Sequence, residues 1–406
     1  TSNTSKNMCT KFHDDRLSSY GVKVPLYASC YIFGIFSFSV SDDDLRPPNW
    51  KMKICGMLII IAYVVAFFST LSLPTAITGT MNLVDTIDEI PSIVMLIQYV
   101  TSAITTAFLL DCTNIKIFTS FANLDTLLRV ETFVDFYKRS HTQTWIFLTL
   151  LIVTHTINSI ADFMTADVLS ISSLIALPLY FYQKLVILTF CKVIVMLKSR
   201  LDLINYYLTA FTEAQEKKNV TIFTIRDTKV VTEERMNFIG RASESNMKIR
   251  DLATIYDLMG KICSMVNEVY NYQIFMTLMS TFTFIVITIW TSLYYYRTPE
   301  NYSGPLINIA IWCFSAIYTV ASMSWACERL LLTRNQTKIL VNKVIMNYDL
   351  PKTMRVQAKA FMELIEAWPL RIYIYDMFSV DITLMLKFIS VATTYLIVII
   401  QISHFV

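Results

Sequence analysis

Apolar residues gather along this chain into runs of about 20, the length at which an α-helix rising 1.5 Å per residue crosses about 30 Å of hydrocarbon. Seven runs qualify: residues 52–73, 90–110, 144–161, 169–197, 274–296, 305–327 and 380–402. An eighth, 24–40, holds Pro25 and Gly34 and is only 17 residues long, so it is expected to lie at the interface or re-enter rather than cross. The pattern predicts an all-α, polytopic membrane protein with seven transmembrane helices. The two longest polar stretches, 198–273 and 328–379, carry Leu, Ile, Met and Phe at helical spacing and read as cytosolic extensions of the spanning helices. Within 355–366, Val356, Ala360, Met362/Glu363 and Ile365 are expected to share one helix face, with Lys359 and Glu363 an i,i+4 pair. The apolar period disappears over 213–245, which is expected to be a mobile insert.

Composition supports a bilayer and removes other classes. Of 406 residues, 54% are hydrophobic and 16% charged, and the mean hydropathy is +0.50; soluble domains run nearer about 25% charged. A net charge of +3 is too small to suggest nucleic acid as a partner. The eight cysteines stand singly, without metal-ligand spacing, and the four histidines are far apart. With no Gly-rich phosphate loop and no nucleophile elbow, neither an enzyme nor a metal or cofactor is expected. No basic leader with a short apolar core precedes the first span, so no cleaved signal peptide is expected.

Charge sets the orientation. Thirty of the 34 Lys and Arg lie before the first span or in loops two, four and six, whereas loops one, three and five hold only Arg297. Positive residues stay on the cytoplasmic side, which predicts a cytoplasmic N-terminal region and an extracellular C-terminus in a plasma-membrane protein. That orientation opposes a G-protein-coupled receptor; its Asp/Glu-Arg-Tyr and Asn-Pro-x-x-Tyr motifs are also missing. The expected organisation is a cytoplasmic N-terminal region with the 24–40 segment (1–51), six spans with loops and an outer ligand pocket (52–327), cytoplasmic anchor helices (328–379) and a pore-lining last helix (380–406).

The last span is polar along one edge. Lys387, Ser390, Thr394 and Gln401 recur at helical spacing among Leu, Ile, Val and Phe. In lipid such an edge must meet another helix or water, which suits a pore built by several copies of the chain; hydrogen bonding inside one subunit is the competing reading. The outer loops carry Asp85, Asp88, Glu89, Asp162, Asp167 and Glu300 against Arg297, a surface that concentrates cations. Lys184 and Lys192 lie in the fourth span, where snorkelling or a carboxylate partner is expected. Outer-half residues with aromatic bodies and polar tips make the candidate small-molecule pocket: Gln98, Tyr99, His155, Asn158, Tyr180, Trp290, Tyr294, Tyr295, Asn308 and Trp312. Among the glycosylation sequons only Asn301 faces outside in this topology.

Residues Thr394-Tyr395-Leu396-Ile397-Val398-Ile399-Ile400-Gln401-Ile402 resemble the closing signature of insect gustatory receptors: Thr-Tyr, five hydrophobic residues, Gln, then Phe. Ile402 departs from the signature, keeping an apolar group but no ring. The resemblance implies a tetrameric, tastant-gated, non-selective cation channel whose last helices line a central pore, either as a homotetramer or co-assembled with related receptors. It places Gln401 at the narrow outer end, with Ile402, Ile397 or Val398 closing the pore by dewetting. The implied partners are a small-molecule tastant, monovalent and divalent cations and membrane lipid. The aromatic pocket favours a bitter or other plant-derived compound over a sugar. Odorant receptors of the same superfamily are the near alternative. A solute transporter is the distant one, which would show inverted repeats and paired broken helices where only Pro178 stands.

Overall fold

The structure, a computed structural model, describes residues 30–35, 39–41, 44–78, 89–130, 136–165, 171–224, 249–297 and 303–405. A short antiparallel hairpin, β1 (Ser39–Ser41) with β2 (Asp44–Arg46), precedes the first long helix, α1 (Trp50–Thr78). Helix α2 (Ile90–Ile104) passes through a π-helical turn (Thr105–Leu109) into α3 (Asp111–Leu127). Then come α4 (Phe136–Thr165), α5 (Ile171–Thr224), α6 (Ile249–Arg297) and α7 (Ser303–Met346). The chain closes with α8 (Lys352–Ala367), a hairpin of β3 (Tyr373–Ile374) and β4 (Phe378–Ser379), and α9 (Ile382–Phe405).

Among the described residues six helices are long and apolar enough to cross a membrane, in α1, α2 with its π turn, α4, α5, α6 and α7. Helix α9, with 24 residues, is the seventh apolar helix. The expected spans are therefore present but several run well past their expected inner ends. Helices α5, α6 and α7 contain 54, 49 and 44 residues. At 1.5 Å per residue these lengths are about 81, 74 and 66 Å, so more than half of each stands outside about 30 Å of hydrocarbon. Helices α3 and α8 pack against these extensions, so much of what separates the apolar runs is ordered helix rather than loop.

Two hydrophobic cores result. The larger one joins α3, α5, α6, α7, α8 and the start of α9, with Phe121, Phe190, Leu201, Tyr256, Val266, Leu330 and Phe361 all fully enclosed. The register of α8 differs from the expected one. Its buried stripe is Ala358, Phe361 and Ile365, whereas Val356 is 57% exposed. The ring of Phe361 against Tyr256, 5.7 Å away, fixes that face. Trp368, just past α8, lies over Gly260, donates from Nε1 to Asp257 Oδ1 at 2.9 Å and accepts from the Tyr256 hydroxyl at its carbonyl. Arg200 and Asp125, both essentially buried, form a two-point ion pair between α5 and α3.

The second core lies inside the membrane region and encloses Cys30, Phe33 and Ile35 between α1, α2, α4 and α5. Here the described part of the 24–40 run makes a turn, with Gly34 at φ +72° approaching the Gly56 backbone closely enough to leave little room for a side chain. The Tyr99 hydroxyl donates to the Phe33 carbonyl at 2.7 Å, and Phe33 stacks near Phe181 and Tyr182. Phe181 and Tyr182 lie about 15 Å along α5 from its outer start. Among the described residues this run therefore packs at mid-depth and contains no spanning helix. Asn301, Asp85, Asp88, Asp167 and Glu300 lie outside the described residues, as does most of the 213–245 stretch beyond the end of α5 at Thr224.

Candidate ligand site and pore helix

Four helices bring polar tips and aromatic bodies together in their outer halves. On α4, His155, Asn158 and Asp162 are spaced by three and four residues and so share a face. On α7 the spacing of Asn308, Trp312 and Ser315 does the same. These two stripes are knitted together. Asp162 Oδ1 accepts from Asn308 Nδ2 at 2.8 Å and Trp312 Nε1 at 2.7 Å, and Asn158 Nδ2 donates to Ser315 Oγ at 3.1 Å. Helix α5 supplies Tyr180, whose ring lies 4.8 Å from Trp312, and α6 supplies Phe284, 6.1 Å from the same indole. His155 packs on Phe181 at 5.0 Å.

Lys184 adds the positive charge. Its Nζ lies 5.2 Å from the Trp312 ring centre, a cation–π placement, while Asp162 holds the indole N–H. Three buried polar atoms in this region have no hydrogen-bond partner: His155 Nδ1, Lys184 Nζ and Asn308 Oδ1. Buried polar groups are nearly always paired, because a lone one costs about 1–3 kcal/mol. These three stand on α4, α5 and α7. The enclosed space between Met95, Tyr180, Gln183, Lys184, Phe284 and Trp312 is only about 20 Å³, enough for one water. Ligand pockets are nearer 300–1,000 Å³, so a ligand must separate these walls to enter.

The other expected pocket residues fare differently. Gln98 is the hub of a closed network: its Nε2 donates to Thr277 Oγ1 at 2.8 Å, and its Oε1 accepts from Ser280 Oγ at 3.0 Å and Gln183 Nε2 at 3.4 Å. Tyr99 is 1% exposed, packed edge-on to Tyr182 with its hydroxyl occupied by Phe33. Gln98 ties α2 to α5 and α6, Tyr99 ties α2 to α1 and α5, and neither lines the small cavity. Trp290 is partly buried on α6 above Phe284, and the side chains of Tyr294 and Tyr295 lie outside the described residues. The sequence places Asp162 at the outer mouth and expects snorkelling or a carboxylate partner for Lys184; in the structure both meet Trp312, Asp162 at the indole N–H and Lys184 over its ring. The signal available was that Lys184 stands one turn from Tyr180 inside a span, where an ionisable group needs a reason. Lys192, by contrast, is held by Ser140, donating to its carbonyl at 2.9 Å and its hydroxyl at 2.8 Å, not by a carboxylate.

Helix α9 begins at a cap. Asp381 Oδ1 accepts from the backbone N–H of Thr383 at 2.9 Å and Leu384 at 3.2 Å, and the Ser379 and Thr383 hydroxyls also donate to this carboxylate. Beyond the cap, Leu384, Met385, Phe388, Ala392 and Leu396 are the buried or half-buried positions. Phe388 and Tyr395 both contact Phe282 of α6, at 6.3 and 5.3 Å between ring centres. Lys387, Ser390, Thr394 and Gln401 are all exposed. At about 100° per residue, the centre of this polar stripe stands roughly 150° from the centre of the packed face. The stripe thus points away from the rest of the protomer. Ile397 and Val398, 50% and 42% exposed, border it, and the side chain of Ile402 lies outside the described residues.

The sequence model of the 7tm chemosensory receptor family matches residues 25–404, nearly the whole chain. The chain belongs to the 7tm chemosensory receptor family. The receptor also resembles the solved insect olfactory receptor OR5 from Machilis hrabei. It covers 96% of this chain and all of that one at 9% identity, with a TM-score of 0.66, and the same receptor in complex with eugenol gives 0.65. At that identity the likeness concerns the fold. No curated protein matches the chain significantly. Membership in this family, with six long apolar helices and α9 among the described residues, establishes a multi-pass helical membrane protein of the chemosensory receptor family.

Proposed function

We propose that this receptor is a gustatory, tastant-gated, non-selective cation channel of the plasma membrane, with α9 of each subunit lining a shared pore. The carrying observation is the outward stripe of Lys387, Ser390, Thr394 and Gln401 on the side of α9 opposite its packed face. A lysine at the centre of hydrocarbon costs about 2.5–3.5 kcal/mol even on the mildest scale. A stripe with that charge is accommodated when further copies of α9 close around water, as in a homotetramer or a co-assembly with related receptors. Permeant monovalent and divalent cations then pass Gln401 at the outer end, with Ile397, Val398 and Ile402 forming the apolar constriction.

The ligand enters among His155, Asn158, Asp162, Tyr180, Asn308 and Trp312. It pairs with His155 Nδ1 and Asn308 Oδ1, stacks on the indole and phenol rings, and shifts the gate by binding the open arrangement more tightly than the closed one. A flat, hydroxylated aromatic compound of the bitter, plant-derived kind suits that mixture better than a sugar, whose many hydroxyls need more acceptors than Asp162 and Asn308 provide. The fold shared with OR5, and the aromatic eugenol bound to that receptor, favour an odorant reading as the alternative. The Thr394–Gln401 signature favours taste. The test is ligand-evoked current in excised patches from cells expressing the receptor. Gln401→Ala should change single-channel conductance or basal leak at unchanged surface level, and Trp312→Ala should shift the ligand response without altering conductance. An unchanged current through Gln401→Ala channels refutes the pore assignment.

A further inference from the structure

Below the aromatic site a second, larger cavity of about 420 Å³ runs between α4, α5 and α7 down to the first turn of α9. Phe147, Leu150, Leu151, Ile187, Leu188 and Val195 line it from α4 and α5, and Lys184 is the one Lys, Arg, Asp, Glu or His among its lining residues. From Lys184 to Val195 is 11 residues of helix, about 16 Å at 1.5 Å per residue. A slot of that length, with a volume of about 420 Å³, has room for an extended aliphatic chain. The slot opens sideways, because its rim residues Leu150, Tyr318 and Trp325 are 42%, 42% and 54% exposed on faces that meet the hydrocarbon.

Away from the exposed rim, where Tyr318 and Trp325 stand, its hydroxyl lining is already engaged. Thr154 donates to the Leu151 carbonyl, Thr319 to Ser315 and Ser322 to Thr319, while Ser315 Oγ accepts from Asn158. What remains is Lys184 Nζ, on a residue 9% exposed, without any hydrogen-bond partner. An apolar slot with one unsatisfied ammonium at its end selects for a long aliphatic tail with a single anionic acceptor head. We propose that this slot is a second binding site, for an unbranched aliphatic carboxylate of about 12 carbons, with its head on Lys184 and its tail running toward the cytoplasmic side. The tail end touches Ile382 and Met385 in the first turn of α9, which on the channel reading places the occupant against the pore helix. The binding itself does not depend on that reading.

The experiment uses the purified full chain in phosphatidylcholine nanodiscs and a dodecanoic acid carrying a terminal photoactivatable diazirine. Irradiation should label peptides containing Ile187–Val195 and Tyr318–Ala326. Excess dodecanoate should suppress the label, and dodecylamine, whose cationic head Lys184 repels, should not. Lys184→Met should reduce labelling about tenfold or more, the scale of one charge-assisted hydrogen bond. Ala326→Phe, which fills the inner end of the slot while retaining Lys184, should also reduce it. Equal competition by dodecylamine on the unmodified receptor, undiminished labelling in Lys184→Met, or a co-purifying phospholipid that dodecanoate cannot displace each overturns the proposal. None of these readouts measures current, so failure here is distinct from failure of the channel assignment.

Discussion

Replacing Asp125 by Ala should cost more stability than any other single change at the cytoplasmic end. Asp125 is 0% and Arg200 1% exposed, and the guanidinium makes two parallel bonds of 2.9 Å to the carboxylate. Arg200 also donates to the Met196 carbonyl at 3.0 Å and lies between the rings of Phe121 and Phe136, at 5.1 and 5.2 Å. With the carboxylate gone, the guanidinium stays buried among aromatic rings without its counter-charge. Orphaning a buried charge in this way costs about 3–5 kcal/mol, whereas replacing both partners by apolar groups is often neutral. In equilibrium terms the single change is about two to three and a half orders of magnitude. The assay is the temperature at which fluorescently tagged receptor loses its monodisperse elution in detergent, measured for Asp125→Ala, Arg200→Met, Asp125→Leu with Arg200→Met, and the unmodified chain. Both single variants should fall well below the unmodified receptor and the double variant should recover most of the loss. Additive losses in the double variant refute the argument, because the penalty would then not come from an uncompensated charge.

Other outcomes follow from close contacts. A Cβ at Gly260 would sit 2.4 Å from the Trp368 ring, so Gly260→Ala should lower the same elution temperature through overpacking of about 1–3 kcal/mol, outweighing Ala's better helix propensity; Trp368→Leu added to it should restore the loss. Gln98→Leu breaks bonds to Thr277, Ser280 and Gln183, but interhelical bonds in membranes average only about 0.6 kcal/mol, so the expected effect is a loss of about 1 kcal/mol and a right-shifted ligand response at normal surface level.

How much of this was legible in the sequence depends on the range of each signal. Apolar run length located the seven hydrophobic helices because the bilayer imposes one scale on them all. The cytosolic extension expected past Leu197 is present, and α5 runs to Thr224 because its cytoplasmic part, Leu201, Ile204 and Leu208, keeps packing into a protein core after the lipid ends; the end point itself was not legible. The register of α8 was misread for the same reason. Hydrophobicity alone counts Val356 as a core residue, but only the position of Tyr256 decides that Phe361 faces inward. Asn308 and Trp312 meet at Asp162, Asn158 meets Ser315, Tyr180 packs on Trp312 and His155 on Phe181, contacts that the residue types alone did not specify. Gln98 and Tyr99 share those types yet satisfy one another's neighbours, a distinction that depends on pairing across 66 to 182 residues of chain. The polar edge of α9 was readable from spacing; that it faces away from its own protomer needed Phe282 and the other packed positions.

That outward edge is also the most direct point of attack. Single cysteines placed along α9 from Leu386 to Gln401, in a background with the native reactive thiols replaced, can be exposed to a charged, membrane-impermeant thiol reagent during ligand-evoked current. The account predicts rapid modification and altered current at Lys387, Ser390, Thr394 and Gln401, with protection at Phe388, Ala392 and Leu396. Modification that follows the packed face, or current indifferent to modification of the polar stripe, would contradict a pore lined by α9.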